Sequence, residues 1–301
     1  VLFLAWLMVL AGQIIAGGNL LTQFTGNEPL GYALFTLIFT VYTLLVGQAG
    51  TIKTGFLQVV VMVAGLALLL GLCLTAVPAG VNTRPALDLH FGFDETFTFT
   101  LFLSIFVPVG LSYLFGPDMY SRIFIARDIT SARRGLLLAG GLIVAISLLI
   151  VFIGILAKGI TDIAKPDLTI QTLVNQFFSG SLANFVLVAL LSIPLSGADI
   201  ILITTGTLLG RDVIAHGLRV LGRPPDDATQ IWIIRGCMSL AAVLATLFAL
   251  RLQAIIPSLL IAYKVFSIGI VPLLFLSLLR IRRGTAMAGT GTANRPVTIY
   301  L

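Results

Sequence analysis

Apolar residues run through this chain in long blocks separated by short polar or glycine-rich breaks, and no strand-like alternation organises them. Eight blocks reach about 20 residues, the length that carries a helix of 1.5 Å rise through roughly 30 Å of hydrocarbon. They fall at roughly 1–23, 29–47, 55–77, 96–116, 135–157, 182–209, 230–250 and 254–279. The expected fold class is an all-α integral membrane protein with about eight transmembrane helices. Residues 1–283 read as one transmembrane domain, and 284–301, small and polar in GTAMAGTGTANRP, as a flexible tail. The first block opens at Val1 with no basic stretch before it, unlike a signal peptide, so the sequence is expected to begin part-way into a longer protein.

Composition agrees, since a soluble core cannot absorb 58% hydrophobic residues with 10% charged and a mean hydropathy of +1.09. The net charge of +6 is a matter of topology, and nothing in it suggests nucleic acid. Lys and Arg number 1, 4, 3 and 4 in the stretches 48–54, 117–134, 210–229 and from Arg280 onward, and the intervening loops hold four. Arg-rich loops stay on the cytoplasmic side, so both ends of the chain are expected there, in a cell (inner or plasma) membrane. Arg122, Arg127, Arg133 and Arg134 then read as anchors at the anionic leaflet of the bilayer.

Two longer loops, Pro78 to Glu95 and Lys158 to Gly180, fall on the outer side. Within the second, Leu168 to Phe178 is amphipathic and suits either an interfacial helix or a simple loop cover. Catalytic motifs are missing: there is no Walker loop, no HExxH and no Cys pair at metal spacing. His90 and His216 lie on opposite sides of the expected membrane, which excludes bis-His haem ligation, and Cys73 and Cys237 read as small apolar filler. The residues point away from an enzyme and call for no cofactor.

The chemistry concentrates in the sixth block, where Pro194, Ser196, Gly197 and Asp199 sit at membrane depth. A charge there costs about 2.5–3.5 kcal/mol on insertion scales, so Asp199 is a candidate site by default. Ser192, Ser196 and Asp199 recur at i, i+4 and i+7 and share a face. Pro194 removes an amide donor and frees carbonyls near Leu190 to Ile193, which would then be open to a cation or water. The plainer alternative is that each Ser hydroxyl bonds its own i−4 carbonyl. Lys264, between Pro257 and Pro272, lies at comparable depth; it either pairs with Asp199 or meets water separately.

Three stretches carry a resemblance. They are Gly116-Pro117-Asp118-Met119-Tyr120-Ser121-Arg122 through Asp128; Tyr42-Thr43-Leu44-Leu45-Val46-Gly47 followed by Thr54, Gly55 and Gln58; and Thr205 through Gly210-Arg211-Asp212. In order and helix position the chain resembles the sodium:solute symporter family across about residues 1 to 280. The resemblance implies a partial inverted-repeat fold of the leucine-transporter type, with this chain supplying core helices three to ten and the first two lying outside the given sequence. It implies a sodium site at Ser196, Gly197 and the Ile193 carbonyl, although Gly197 stands where the family has a second hydroxyl. Gly55 stands where it has Asp, and Val46 where it has Gly. Asp199, one turn on, is placed to carry a proton or supply the missing charge.

For substrate the resemblance implies lining from Gln13, Ile14, Gly17 and Asn19, from Ser104, Pro108, Ser112 and Tyr113, and from the last helix, where Lys264 lies. Pro108 with Gly110 marks either a helix break that exposes backbone groups or a tolerated kink. Gly12 and Ala16 suit helix packing. The expected function is secondary active symport of a small organic solute, such as an amino acid, carboxylate or vitamin, across the lipid bilayer by alternating access, coupled to sodium or to protons. The alternative is a non-transporting sensor, scaffold or remnant of the same fold.

Overall fold

A computed structural model of the chain describes residues 1–76, 93, 98–160, 172–174 and 180–288, and every regular element among them is helical. In order these are α1 (Leu2–Thr25), α2 (Glu28–Ala76), α3 (Phe99–Phe115), α4 (Pro117–Ile125) and α5 (Ile129–Ile160). There follow α6 (Gly180–Thr207), a π-helical stretch Leu208–Ala215, α7 (His216–Val220), α8 (Asp227–Leu252) and α9 (Ile255–Ala288). Among the described residues, eight stretches are long and apolar enough to cross a membrane, with α2 supplying two of them and α3 with α4 one. The chain is thus a multi-pass membrane protein of the expected helical class. Helix α9 runs to Ala288, past the start expected for the flexible tail, and residues 289–301 lie outside the described residues.

Helix α1 occupies the centre. About two-thirds of its span (67%) is buried, against 6% for α5, and it touches α2, α6, α8 and α9. Small residues make this possible, because lipid tails are as apolar as Leu and helices in a bilayer gain mainly by close packing. Gly17 lies under the Phe35 ring, and a Cβ on Gly18 would fall 2.2 Å from Tyr32 Cδ1 and 2.9 Å from Tyr32 Cα. Gly12 packs on Leu259 of α9, as its spacing with Ala16 suggests.

One core cluster joins Leu10, Ile14, Phe35, Phe39, Leu202 and Ala245, binding α1 to the first half of α2, α6 and α8. The Thr36 and Thr246 hydroxyls, 2.9 Å apart, add a hydrogen bond between α2 and α8. A second cluster (Leu66, Leu69, Cys73, Ile153, Val186) ties the far half of α2 to α5 and α6. Of the amphipathic stretch 168–178 only residues 172–174 are described; Leu173 and Val174 are buried in this second cluster. The outer loop 78–95 lies outside the described residues apart from Phe93.

Asp128 opens α5. The Ser131 backbone N–H, 2.7 Å from Oδ1, and the Ser131 hydroxyl, 3.1 Å from Oδ2, both donate to its carboxylate and hold the carboxyl below the ordinary range.

Two outcomes are expected. Gly18→Ala should lower stability by about 1–3 kcal/mol, since the added methyl meets Tyr32 backbone as well as its ring, whereas Gly141→Ala, with nothing within 4 Å, should be neutral or slightly stabilising; unfolding in detergent compares them. The Asp128 carboxyl is lowered by folding, so its cap is in place above the ordinary carboxylate range and lost as pH falls through the lowered value. The protection factor of the Ser131 amide should therefore drop across that acid window in the wild-type chain and show no such step in Asp128→Asn.

Candidate functional site

Besides the π-helical stretch Leu208–Ala215, two glycines interrupt plain α-helix within the spans. Gly47 adopts φ 63 and ψ −173, a conformation open essentially to Gly alone, and divides α2 into two arms. The Tyr42 hydroxyl bonds the Thr54 hydroxyl across that bend. At Gly116 (φ −68, ψ 132) α3 stops and α4 starts with Pro117 in its first turn. A Cβ on Gly116 would lie 2.5 Å from the Ser112 carbonyl, so the turn is built for glycine. Of the two readings of Pro108 with Gly110, α3 follows the tolerated kink, and the break lies at Gly116. A lone Pro108 removes one amide donor and α3 continues through it; the residue before Pro117 is in addition driven out of the α region. Helix α6 likewise runs unbroken through Pro194.

Between the second arm of α2, α4, α5 and α6 lies a cavity of about 870 Å³. From α6 it receives Ser196, Ile200, Ile203 and Thr204, at i, i+4, i+7 and i+8. From α2 come Gln48, Thr51, Gly55, Val59 and Val63, again one helix face, and from α4 Ser121 and Ile125. Two of its hydroxyls are occupied locally: Thr51 donates to the Gln48 carbonyl at 2.9 Å and Ser121 to the Asp118 carbonyl at 2.8 Å.

The residues expected to form one ion site point to different neighbours. Ser196 faces the cavity. Gly197, about 100° round the helix, faces α1, where a Cβ would lie 3.0 Å from Gln13 Cδ and Oε1. The Gln13 amide thus fills the place beside Gly197 where a larger side chain would project. Asp199 is buried at 1% exposure, and helical geometry puts it about 160° from Gly197. Ile193 is half-buried in the continuous helix. Ser192 bonds its own helix, donating to the Val188 carbonyl at 3.2 Å.

The expected substrate residues are similarly dispersed. Ser104 and Ser112 donate to the Leu101 and Val109 carbonyls at 2.8 and 2.7 Å. Asn19 Oδ1 accepts from the Tyr32 hydroxyl at 3.0 Å, in a clamp that also reaches Glu28. Ile14 is core, in one cluster with Ala198 and Leu202 of α6, Gly17 is a packing contact, and Gln13 lies against Gly197 of α6. Pro108 is half-buried. Lys264 is exposed and Asp199 buried, so the two occupy unlike surroundings.

No protein-family model matches the sequence, and no curated protein is similar enough to count as a relative. The three stretches that carry the family resemblance have local structural roles here. The second holds the Gly47 bend and its Tyr42–Thr54 bond. The first holds the Gly116 break and the Asp128 cap. In the third, Gly206 and Gly210 let α6 and the π-helical stretch approach α8 closely, with Gly210 facing the Ile234 backbone, where a Cβ would meet Cα at 2.9 Å.

Sequence reasoning missed the wall formed by α2. Its signal was the recurrence of Thr51, Gly55, Val59 and Val63 at helical spacing, which reads equally well as a lipid-facing stripe. Two glycines in that region should respond oppositely to one methyl. Gly47→Ala should cost about 1–3 kcal/mol through backbone strain alone, since nothing lies within 4 Å of the added atom. Gly55→Ala, equally unobstructed but in a regular helix, should stabilise by up to about 1 kcal/mol. Thermal unfolding of the two variants in one detergent compares them.

Proposed function

We propose that this chain forms the transmembrane core of a secondary active transporter that moves a small organic solute by alternating access, driven by a sodium or a proton gradient. The observation that carries the proposal is a cavity of solute size ending on Ser196, walled by a helix arm that is set off from its own first half at Gly47. A buried carboxylate in the same helix, Asp199, supports it, because a purely architectural span gains nothing from a charge at that depth. The resemblance to sodium:solute symporters and the leucine-transporter-type fold it implies favour the same reading. On this reading the Arg-rich ends face the cytoplasm, and of the oxygens expected to hold sodium the Ser196 hydroxyl is the one that faces the cavity.

Uptake of a solute panel into proteoliposomes under imposed sodium or proton gradients tests this. Sodium-driven uptake that falls at least tenfold in Ser196→Ala is expected for sodium coupling, and proton-driven uptake that falls as much in Asp199→Asn for proton coupling. Folded protein that moves no solute under either gradient would instead favour the sensor or scaffold.

A further inference from the structure

Hydroxyls inside membrane helices usually bond a carbonyl three or four residues back, and this chain follows that habit. Thr43, Thr54, Ser112, Ser192 and Thr205 all do so. Ser196 and Thr204 do not, and neither do the buried hydroxyls of Thr40 and Ser267; what sets the first two apart among the described residues is that both line the same cavity. They are eight residues apart on one face of α6, a rise of about 12 Å. Two free hydroxyls at that spacing are offered to whatever occupies the space between them.

The remaining wall restricts the occupant. Val59 and Val63 of α2 and Ile200 and Ile203 of α6 are aliphatic, and among the described residues that line the cavity none has an ionisable side chain. A charged organic group laid against that aliphatic wall would lose water with no opposite charge among the described lining residues to compensate. An aliphatic body gains from the same wall, and a hydroxyl or carbonyl group on it gains a hydrogen bond from Ser196 or Thr204. We infer that the cavity binds an uncharged, hydrocarbon-rich molecule carrying hydroxyl or carbonyl groups. The inference rests on the transporter reading only in making that molecule the cargo.

A matched photolabel series tests the chemistry: 4-benzoylbenzyl alcohol, 4-benzoylbenzoate and 4-benzoylbenzylammonium, with the full chain in phosphatidylcholine nanodiscs and labelled peptides mapped by mass spectrometry. The alcohol should label residues of α2's second arm and α6 saturably, and the two ions should do so at least ten times more weakly. Ser196→Ala with Thr204→Val should raise the half-saturating concentration by roughly three- to tenfold. Ala64→Phe, which fills the cavity, should abolish the labelling, and the wild-type charge series needs no variant should that protein fail to fold.

Equal labelling by all three probes, or labelling untouched by Ala64→Phe, would overturn the inference. So would labelling seen in detergent that disappears in nanodiscs, because lipid would then be the occupant. Saturable, alcohol-selective labelling in a protein that moves no solute would uphold the site and remove the transporter reading alone. Robust flux of a charged solute, unaffected by Ala64→Phe, would do the reverse.

Discussion

Everything else in this fold hangs on how closely α1 approaches the first arm of α2. In lipid there is no gain from moving apolar surface out of water, so helices hold together through packing and the few hydrogen bonds they share. Gly17 and Gly18 remove side chains where Phe35 and Tyr32 arrive, and Gly31 returns the favour against Thr22 and the Gly18 carbonyl. With that contact made, Tyr32 reaches Asn19 and Glu28, α8 closes over Phe35 and Phe39, and α6 is left lying against α1 with Gln13 across from Gly197.

The same constraint explains where irregular backbone is allowed. Unsatisfied amides and carbonyls are expensive in hydrocarbon, so a spanning helix is interrupted only where something nearby takes up the freed groups. Around Gly116 the Tyr120 hydroxyl accepts that task by donating to the Leu114 carbonyl at 3.0 Å, and Trp6 of α1 packs against the turn. Around Gly47 the Tyr42–Thr54 bond spans the bend, and Thr51 bonds the Gln48 carbonyl just beyond it. Pro108 and Pro194 have less effect on the path of the chain, since each withdraws one donor from a helix that otherwise continues.

The helical class and the spans were plain in the sequence because bilayer thickness imposes a length that few other constraints produce. Boundaries of the first two spans and of α8 came within three residues, while α5 starts six residues before its expected span and α9 runs nine past its own; the Gly12 packing role followed from spacing. The break was harder: proline draws the eye to Pro108, yet the informative run is Gly116-Pro117-Asp118, in which a pre-proline glycine is followed by a helix-starting proline and an acidic first turn. The site was legible as a list of residues and hardly at all as an arrangement. Periodicity puts Ser192, Ser196 and Asp199 on one face, but neighbouring helices decide which of them meets a cavity, a core or its own backbone, and those neighbours come from α1 and α2, far away in the chain. Nothing local in the sequence announces that Gln13 will lie against Gly197.

The arms of α2 are held by unequal means. The first is bound to α1, α6 and α8, while the second, Gly50–Thr75, is bound to α5 and α6 through Leu66, Leu69 and Cys73 and starts just beyond the Gly47 bend. An arm of that length is a lever of roughly 39 Å, so a 10° change in the dihedrals at Gly47 would carry its far end about 7 Å. Any such swing would have to carry Leu66, Leu69 and Cys73 past Ile153 of α5 and Val186 of α6, so the displacement is greatest where the second cluster resists it most.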